Sequence, residues 1–361
     1  MVTRLICLFV FCITAWSSAG CSCRAGMVFN LIDIGGAGAG TQTRVGFQTA
    51  ADFWSSKFND NIVVNLQIGM SSSLGSSTLG GATPQAVAGP YSVFRSAVAA
   101  DATSQDDRTF STNLPSGSAF SVYINRTSNN PNGSLSATPY VDADGDLNNT
   151  TVFMTRANAK ALGLITANDS AIDAKIEFNS SFVFDYDRTN GISSNAFDFI
   201  GIAIHEIGHA LGFFSGVDIL DQNGSSSVRD DEYTYVTPLD FTRFSSASRA
   251  ANANIDWTAD NRSKYFSVDG GTTVAVDNAW SLGRNFGDGR QASHWKDNLG
   301  RGIMDPTFAP GELGIVTNLD LRAFDVMGFN STAVPEPTSM AIFLTGIATL
   351  GLARRKRPES T

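Results

Sequence analysis

The chain has 361 residues, 42% of them hydrophobic and 16% charged, a balance that supports a folded core and excludes a disordered chain. Its net charge of −9 leaves no basic footprint for nucleic acid or for an anionic membrane surface, so nucleic-acid binding is set aside. No repeat at a fixed period is visible, which argues against a solenoid or propeller and for one catalytic-sized domain over residues 27–330.

In chain order, Arg4, the apolar run from Leu5 to Trp16 and the small residues Ser17, Ser18, Ala19 and Gly20 have the order of a secretory signal. Residues 1–19 therefore read as an export signal, with cleavage after Ala19. "SAGC" at Ser18 to Cys21 also allows a lipoprotein reading, against which Ser18 stands where a larger aliphatic residue is usual. Cys7, Cys12, Cys21 and Cys23 are the four cysteines, so the body from Arg24 onward has no disulfide framework and no cysteine nucleophile.

The spacing predicts a helix over Gly46 to Phe58 and a strand over Ile62 to Met70, followed by a Gly/Ser/Ala/Pro-rich surface loop from Ser71 to Pro90. In "VDADGDLNN", Asp142, Asp144 and Asp146 suggest calcium, but the glycine is misplaced for an EF-hand loop and a solvated turn is expected. A short helix is expected over Thr155 to Leu164, ending near Gly163, and a strand with a polar kink over Lys175 to Asp187.

The next helix, capped by Ser193 or Ser194, buries a stripe of Phe197, Ile200, Ile204, Ile207 and Leu211. It carries "HEIGHALGFFSG", His205 to Gly216. Two histidines four apart on a helix offer adjacent corners of a zinc shell, and Glu206 lies beside them as a base for the bound water. Gly212 is a residue type that lets the helix end abruptly, so that the chain can double back. The chain has three histidines, and the remaining one is His294 in "GRQASHWKDN". Asp218, Asp221 and Glu232 are chemically able to be the third ligand, but acidic residues are common here and histidine is rare, which favours His294.

His205, Glu206, His209 and Gly212, then a long insertion, then His294-Trp295, then Met304 in a Gly/Pro-flanked turn, together resemble the leishmanolysin branch of the metzincin proteases. The resemblance implies an α+β zincin fold: an upper lobe of about 27–212 with a mixed sheet and the active-site helix, and an irregular lower lobe of about 213–330 with the methionine turn. It further implies a zinc endopeptidase acting on protein or peptide substrate, Met304 as a floor beneath the Zn2+, and the Lys175 to Asp187 strand as the cleft edge. Two residues depart from the pattern. Ser215 stands where the short form of the motif has its third histidine, and Pro306 stands where several branches carry a tyrosine.

The insertion from Phe213 to Gln291 reads as short strands and loops, with Asp269 and Asp288 as turn formers. A last helix is expected over Thr317 to Phe329, capped by Thr317 or Asn318 and packed on the active-site helix. At 334–358, Pro335-Glu336-Pro337, the apolar run Met340 to Ala353 and the basic cluster Arg354 to Arg357 resemble a PEP-CTERM sorting signal. That resemblance implies handling by an exosortase, membrane contact through a short transmembrane segment, and delivery to the cell surface, outer membrane or extracellular matrix of a Gram-negative bacterium. Two other readings of the body remain: a surface or matrix protein with a structural or vestigial zinc site, and a zinc hydrolase of non-peptide amides.

Overall fold

The computed structural model describes residues 26–332, so the two segments expected to be terminal signals, 1–19 and 334–358, lie outside the described residues. Within that span the protein is mixed α+β with open sheets. Among the described residues no helix is long and apolar enough to cross a membrane.

The principal sheet has four strands: β1 (Val28–Gly35), β2 (Val63–Ser71), β3 (Gly80–Pro84) and β4 (Ala174–Asn179), in the order β1-β2-β4-β3. The first three in that order run parallel, and β3 is antiparallel to β4. The structure departs from the sequence expectation at two places. The segment from Ser71 to Pro90 is not a surface loop throughout, because it contains β3 and a second strand, Ala86–Pro90, which pairs with Thr151–Thr155. The strand within Lys175 to Asp187 is not the sheet edge, because β3 covers it on that side.

Composition explains why β3 stands at the edge. Asn179 donates its N–H to Leu79 and Gln85 donates to Asp173, so odd-numbered residues face β4 and Gly80, Ala82 and Pro84 turn their main chain outward. Proline has no N–H to offer a neighbouring strand and is tolerated at such a position.

Helix α1 (Gln42–Lys57) is capped by Thr41 and buries Phe47, Ala50, Ala51 and Trp54. It packs on helix α2 (Phe199–Leu211), where Trp54 Nε1 donates to the Ile204 carbonyl at 3.0 Å. Ser193 does not cap α2: its N–H and hydroxyl are both taken by Asp185, and the true cap is Asp198, whose side chain accepts from Gly201 N–H at 2.9 Å. Nor does α2 bury one face alone. All of its residues but His209 are buried, because α1 and the sheet cover it on one side and the chain beyond Gly212 covers the other.

Beyond Gly212 the elements are short, and they include helix α3 (Val217–Asn223) besides the expected strands and loops. Helix α4 (Asn318–Val326), capped by Thr317 with Asp320 completing the capping box, sets Phe324 against Trp54 and Phe213.

The α1–α2 contact depends on Gly46, where a Cβ would lie 2.4 Å from Phe199 Cδ1. Gly46→Ala gains up to about 1 kcal/mol of helix propensity and loses about 1–3 kcal/mol to overpacking. Urea unfolding is therefore expected to give a net loss of stability, and an unchanged or higher midpoint would contradict this packing.

Candidate metal centre

Helix α2 places His205 and His209 one turn apart, and Gly212, at φ 128°, ends it. The reversal brings the Phe213 carbonyl back to His209, whose Nδ1 lies 2.6 Å from it. His205 Nδ1 meets the Ile303 carbonyl at 2.7 Å, and His294 Nδ1 meets the Gln291 carbonyl at 3.3 Å. A carbonyl only accepts, so each Nδ1 carries the ring proton and each Nε2 presents a bare lone pair.

Those three lone pairs face one another. His209 Nε2 lies 3.0 Å from His205 Nε2 and 3.1 Å from His294 Nε2. With the ring protons on the Nδ1 side, neither contact is a hydrogen bond. Burial pushes the His205 pKa down to about 3, helped by the neighbouring His209, and that of His209 down to about 4; it drives His294 well below its ordinary value. All three imidazoles are thus neutral at pH 7, the form that binds metal.

A set of three neutral imidazoles with no thiolate suits zinc, whose ligands at about 2.0–2.1 Å in a tetrahedron lie roughly 3.3–3.4 Å from one another. Among the described residues no fourth histidine, cysteine or carboxylate joins the three within 4.8 Å. Such a set leaves one position open.

Two of the three acidic residues named as alternative ligands, Asp218 and Asp221, hold the chain around the site instead. Asp218, near the start of α3, accepts from the Ala292 N–H at 2.7 Å, from the Ser293 N–H at 3.1 Å and from the Ser293 hydroxyl, so it fixes the backbone that presents His294. Asp221 accepts from the Asn285 and Phe286 N–H groups at 2.8 and 2.9 Å. Glu232 lies in the turn Asp230–Glu232, apart from the histidine group. Asp288, expected to form a turn, does accept from the Leu282 N–H and also pairs with Lys296 at 2.6 Å.

Ser215 has a place of its own. Its hydroxyl donates to the buried Asp240, which also accepts from the Gly216 and Thr237 N–H groups and from Trp257 Nε1, while its N–H donates to Ser293 Oγ. The residue in the short-form histidine position thereby anchors the start of the insertion.

Met304 is fully buried beneath α2, where a Cβ on Gly208 would meet its sulfur at 2.6 Å. The Trp295 N–H donates to the Met304 carbonyl at 3.0 Å. Asp320 of α4 then ties this turn to the His294 segment, accepting from Trp295 Nε1 at 2.8 Å and the Ile303 N–H at 3.0 Å. Pro306 follows, and the Phe308 ring meets His205 edge-on with centroids 5.9 Å apart.

Glu206 is 7% exposed, and burial pushes its pKa up to about 7, opposed by a hydrogen bond from the Ala82 N–H of β3. The same residue thus links helix and sheet edge. A cavity of about 500 Å³ opens elsewhere, lined by Val45, Gly46, Asp185 and Tyr186 among others; none of the histidines lines it, and its lining lacks their chemistry.

Comparison of the chain with protein-family models, with curated proteins and with solved structures gave no match.

Sequence reasoning missed Asp218, Asp221 and Asp320 as supports. Their only local signals are the one-turn spacing of the first two and the capping-box position of the third. Asp218→Ala is expected to weaken zinc binding about 10–100-fold, measured by competition with a chromogenic chelator. Unchanged affinity would show that the His294 segment holds its place without this carboxylate.

Proposed function

We propose that the protein is an exported zinc-dependent endopeptidase with a metzincin-like, two-lobed fold. The observation that carries this reading is the convergence of three unprotonated Nε2 atoms, from His205, His209 and His294, beside the buried carboxyl of Glu206. His205, His209 and His294 would hold the zinc through Nε2. Bound there, the metal supplies acidity to a water and polarisation to the scissile carbonyl.

The remaining steps belong to the chain's own groups. Glu206 takes a proton from the attacking water at its carboxylate and returns it to the leaving amine, with no covalent intermediate. Burial, which holds this carboxyl above the usual carboxylate range, favours its taking up the proton that it then returns to the amine. The outward main chain of β3, at Gly80 and at the Ala82 carbonyl, offers an extended peptide the pairing of an added strand. That edge stands beside Glu206 and orients the substrate across it.

Two features favour this reading over a closed structural zinc or a hydrolase of non-peptide amides. No fourth protein ligand stands with the three histidines among the described residues, and a structural zinc site is a closed four-ligand one. The edge strand beside the site, unpaired on its outer side by any other strand among the described residues, suits a peptide backbone better than a glycan. Export and display rest on the terminal segments at 1–19 and 334–358, the second of which an exosortase would process.

Glu206→Ala is expected to keep its zinc and to lose at least about 10²–10⁴-fold in casein hydrolysis, the usual share of a general base. An active Glu206→Ala protein would remove the mechanism. A wild-type protein that holds zinc and cleaves acetylated glycans but not casein would replace the substrate class.

A further inference from the structure

The segment Val141–Asn149 reads from sequence as a solvated turn, yet it packs against the turn Asp230–Glu232, some 80 residues further along the chain. Carboxylate oxygens of Asp146, Asp230 and Asp231 lie within 4.8 Å of one another. Asp142 is buried beside them and accepts from Asn148 Nδ2 at 2.7 Å and Asn149 Nδ2 at 3.2 Å. Asp230 accepts from the Tyr140 hydroxyl at 2.8 Å and from the Asn129 amide.

A second observation is independent of this acidity. Asn148 is 1% exposed, its amide nitrogen is spent on Asp142, and its Oδ1 has no hydrogen-bond partner; Oδ1 of Asp146 is likewise buried and unpaired. Buried oxygens of this kind need a donor or a cation. No donor reaches either of these two oxygens, although Asp230 also accepts from the Asp231 N–H at 3.0 Å, and the one ion pair to the cluster's carboxylates among the described residues is Arg229 to Asp231, at 3.1 Å on the exposed side. Burial, and then the charges of their acidic neighbours, hold the Asp142 and Asp146 carboxyls above the usual range.

We propose that Asp146, Asp230, Asp231 and the Oδ1 of Asn148 form a calcium site that clamps the 141–149 segment to the 230–232 turn. The donors are all oxygen, without imidazole or thiolate, which selects a hard cation over zinc. They come from two irregular segments, and calcium accepts six to eight oxygens in a flexible shell where magnesium demands a near-ideal octahedron. The clamp has a structural consequence. Residues 147–150 lead directly into the strand Thr151–Thr155, which pairs with Ala86–Pro90 immediately after β3, and the Phe153 N–H donates to the Val236 carbonyl at 2.8 Å. An ion here would stiffen the support of the sheet edge, and its binding does not depend on the histidine site.

The test uses the purified protein in buffer with zinc held constant. Calcium is added up to millimolar levels, bound calcium is measured by equilibrium dialysis, and unfolding temperature is followed in parallel. The expected result is one calcium per chain and an unfolding temperature raised by several degrees. In Asp146→Asn and in Asp231→Asn, binding should be at least about tenfold weaker. Negligible binding to the wild type, or equal binding by the variants, overturns the proposal, and an equal response to magnesium overturns the assignment to calcium. Should a variant fail to fold, the wild-type stoichiometry decides.

Discussion

Three imidazole nitrogens with exposed lone pairs repel one another, and in this protein they stand 3.0 and 3.1 Å apart. The arrangement persists because three backbone carbonyls fix the ring protons on the far side, and because each of those carbonyls is itself held by the fold. The Phe213 carbonyl is set by the reversal at Gly212, and the Ile303 carbonyl lies in a turn that Asp320 pins. Rigid convergence of neutral imidazoles is what a cation needs and what an uncharged core would avoid.

Much of the molecule serves this constraint. Helix α2 is buried nearly all round, so His205 and Glu206 occupy a dry environment in which neutral imidazole and a carboxyl of raised pKa are both favoured. Gly46 and Trp54 bring α1 hard against that helix, and Phe324 brings α4 to its other side. On the side of His294 the work falls to carboxylates: Asp218, Asp221, Asp240 and Asp320 each collect several backbone or indole N–H groups and tie the irregular segments to helices. A body without cysteines therefore fixes its long insertion with buried acceptors.

The site residues were legible because their signals are local or rare. An i, i+4 pair of histidines with a following glycine is read within one helix, and a chain with three histidines leaves one candidate for the distant position. The sheet edge was not legible. Gly80-Gly81-Ala82-Thr83-Pro84 lacks the β-branched alternation of a strand, and its pairing with β4 joins residues 90 to 98 positions apart. The resemblance places the cleft edge on the Lys175 to Asp187 strand instead. The start of α2 was misplaced for a related reason: Ser193 is a good cap by type, but Asp185 captures it and leaves the capping to Asp198. The supporting roles of Asp218, Asp221 and Asp320 are not legible, since only the folded backbone shows which N–H groups they meet.

The most direct test of the account is zinc per chain, by elemental analysis, on the body from about Arg24 to Thr332, beside its His294→Ala variant. One zinc in the wild type and its loss in the variant is the predicted result, since the helix alone supplies two of the three nitrogens. A variant that keeps its zinc with equal affinity would contradict the account at its centre, and would mean that the convergence of His294 on the helix has another purpose.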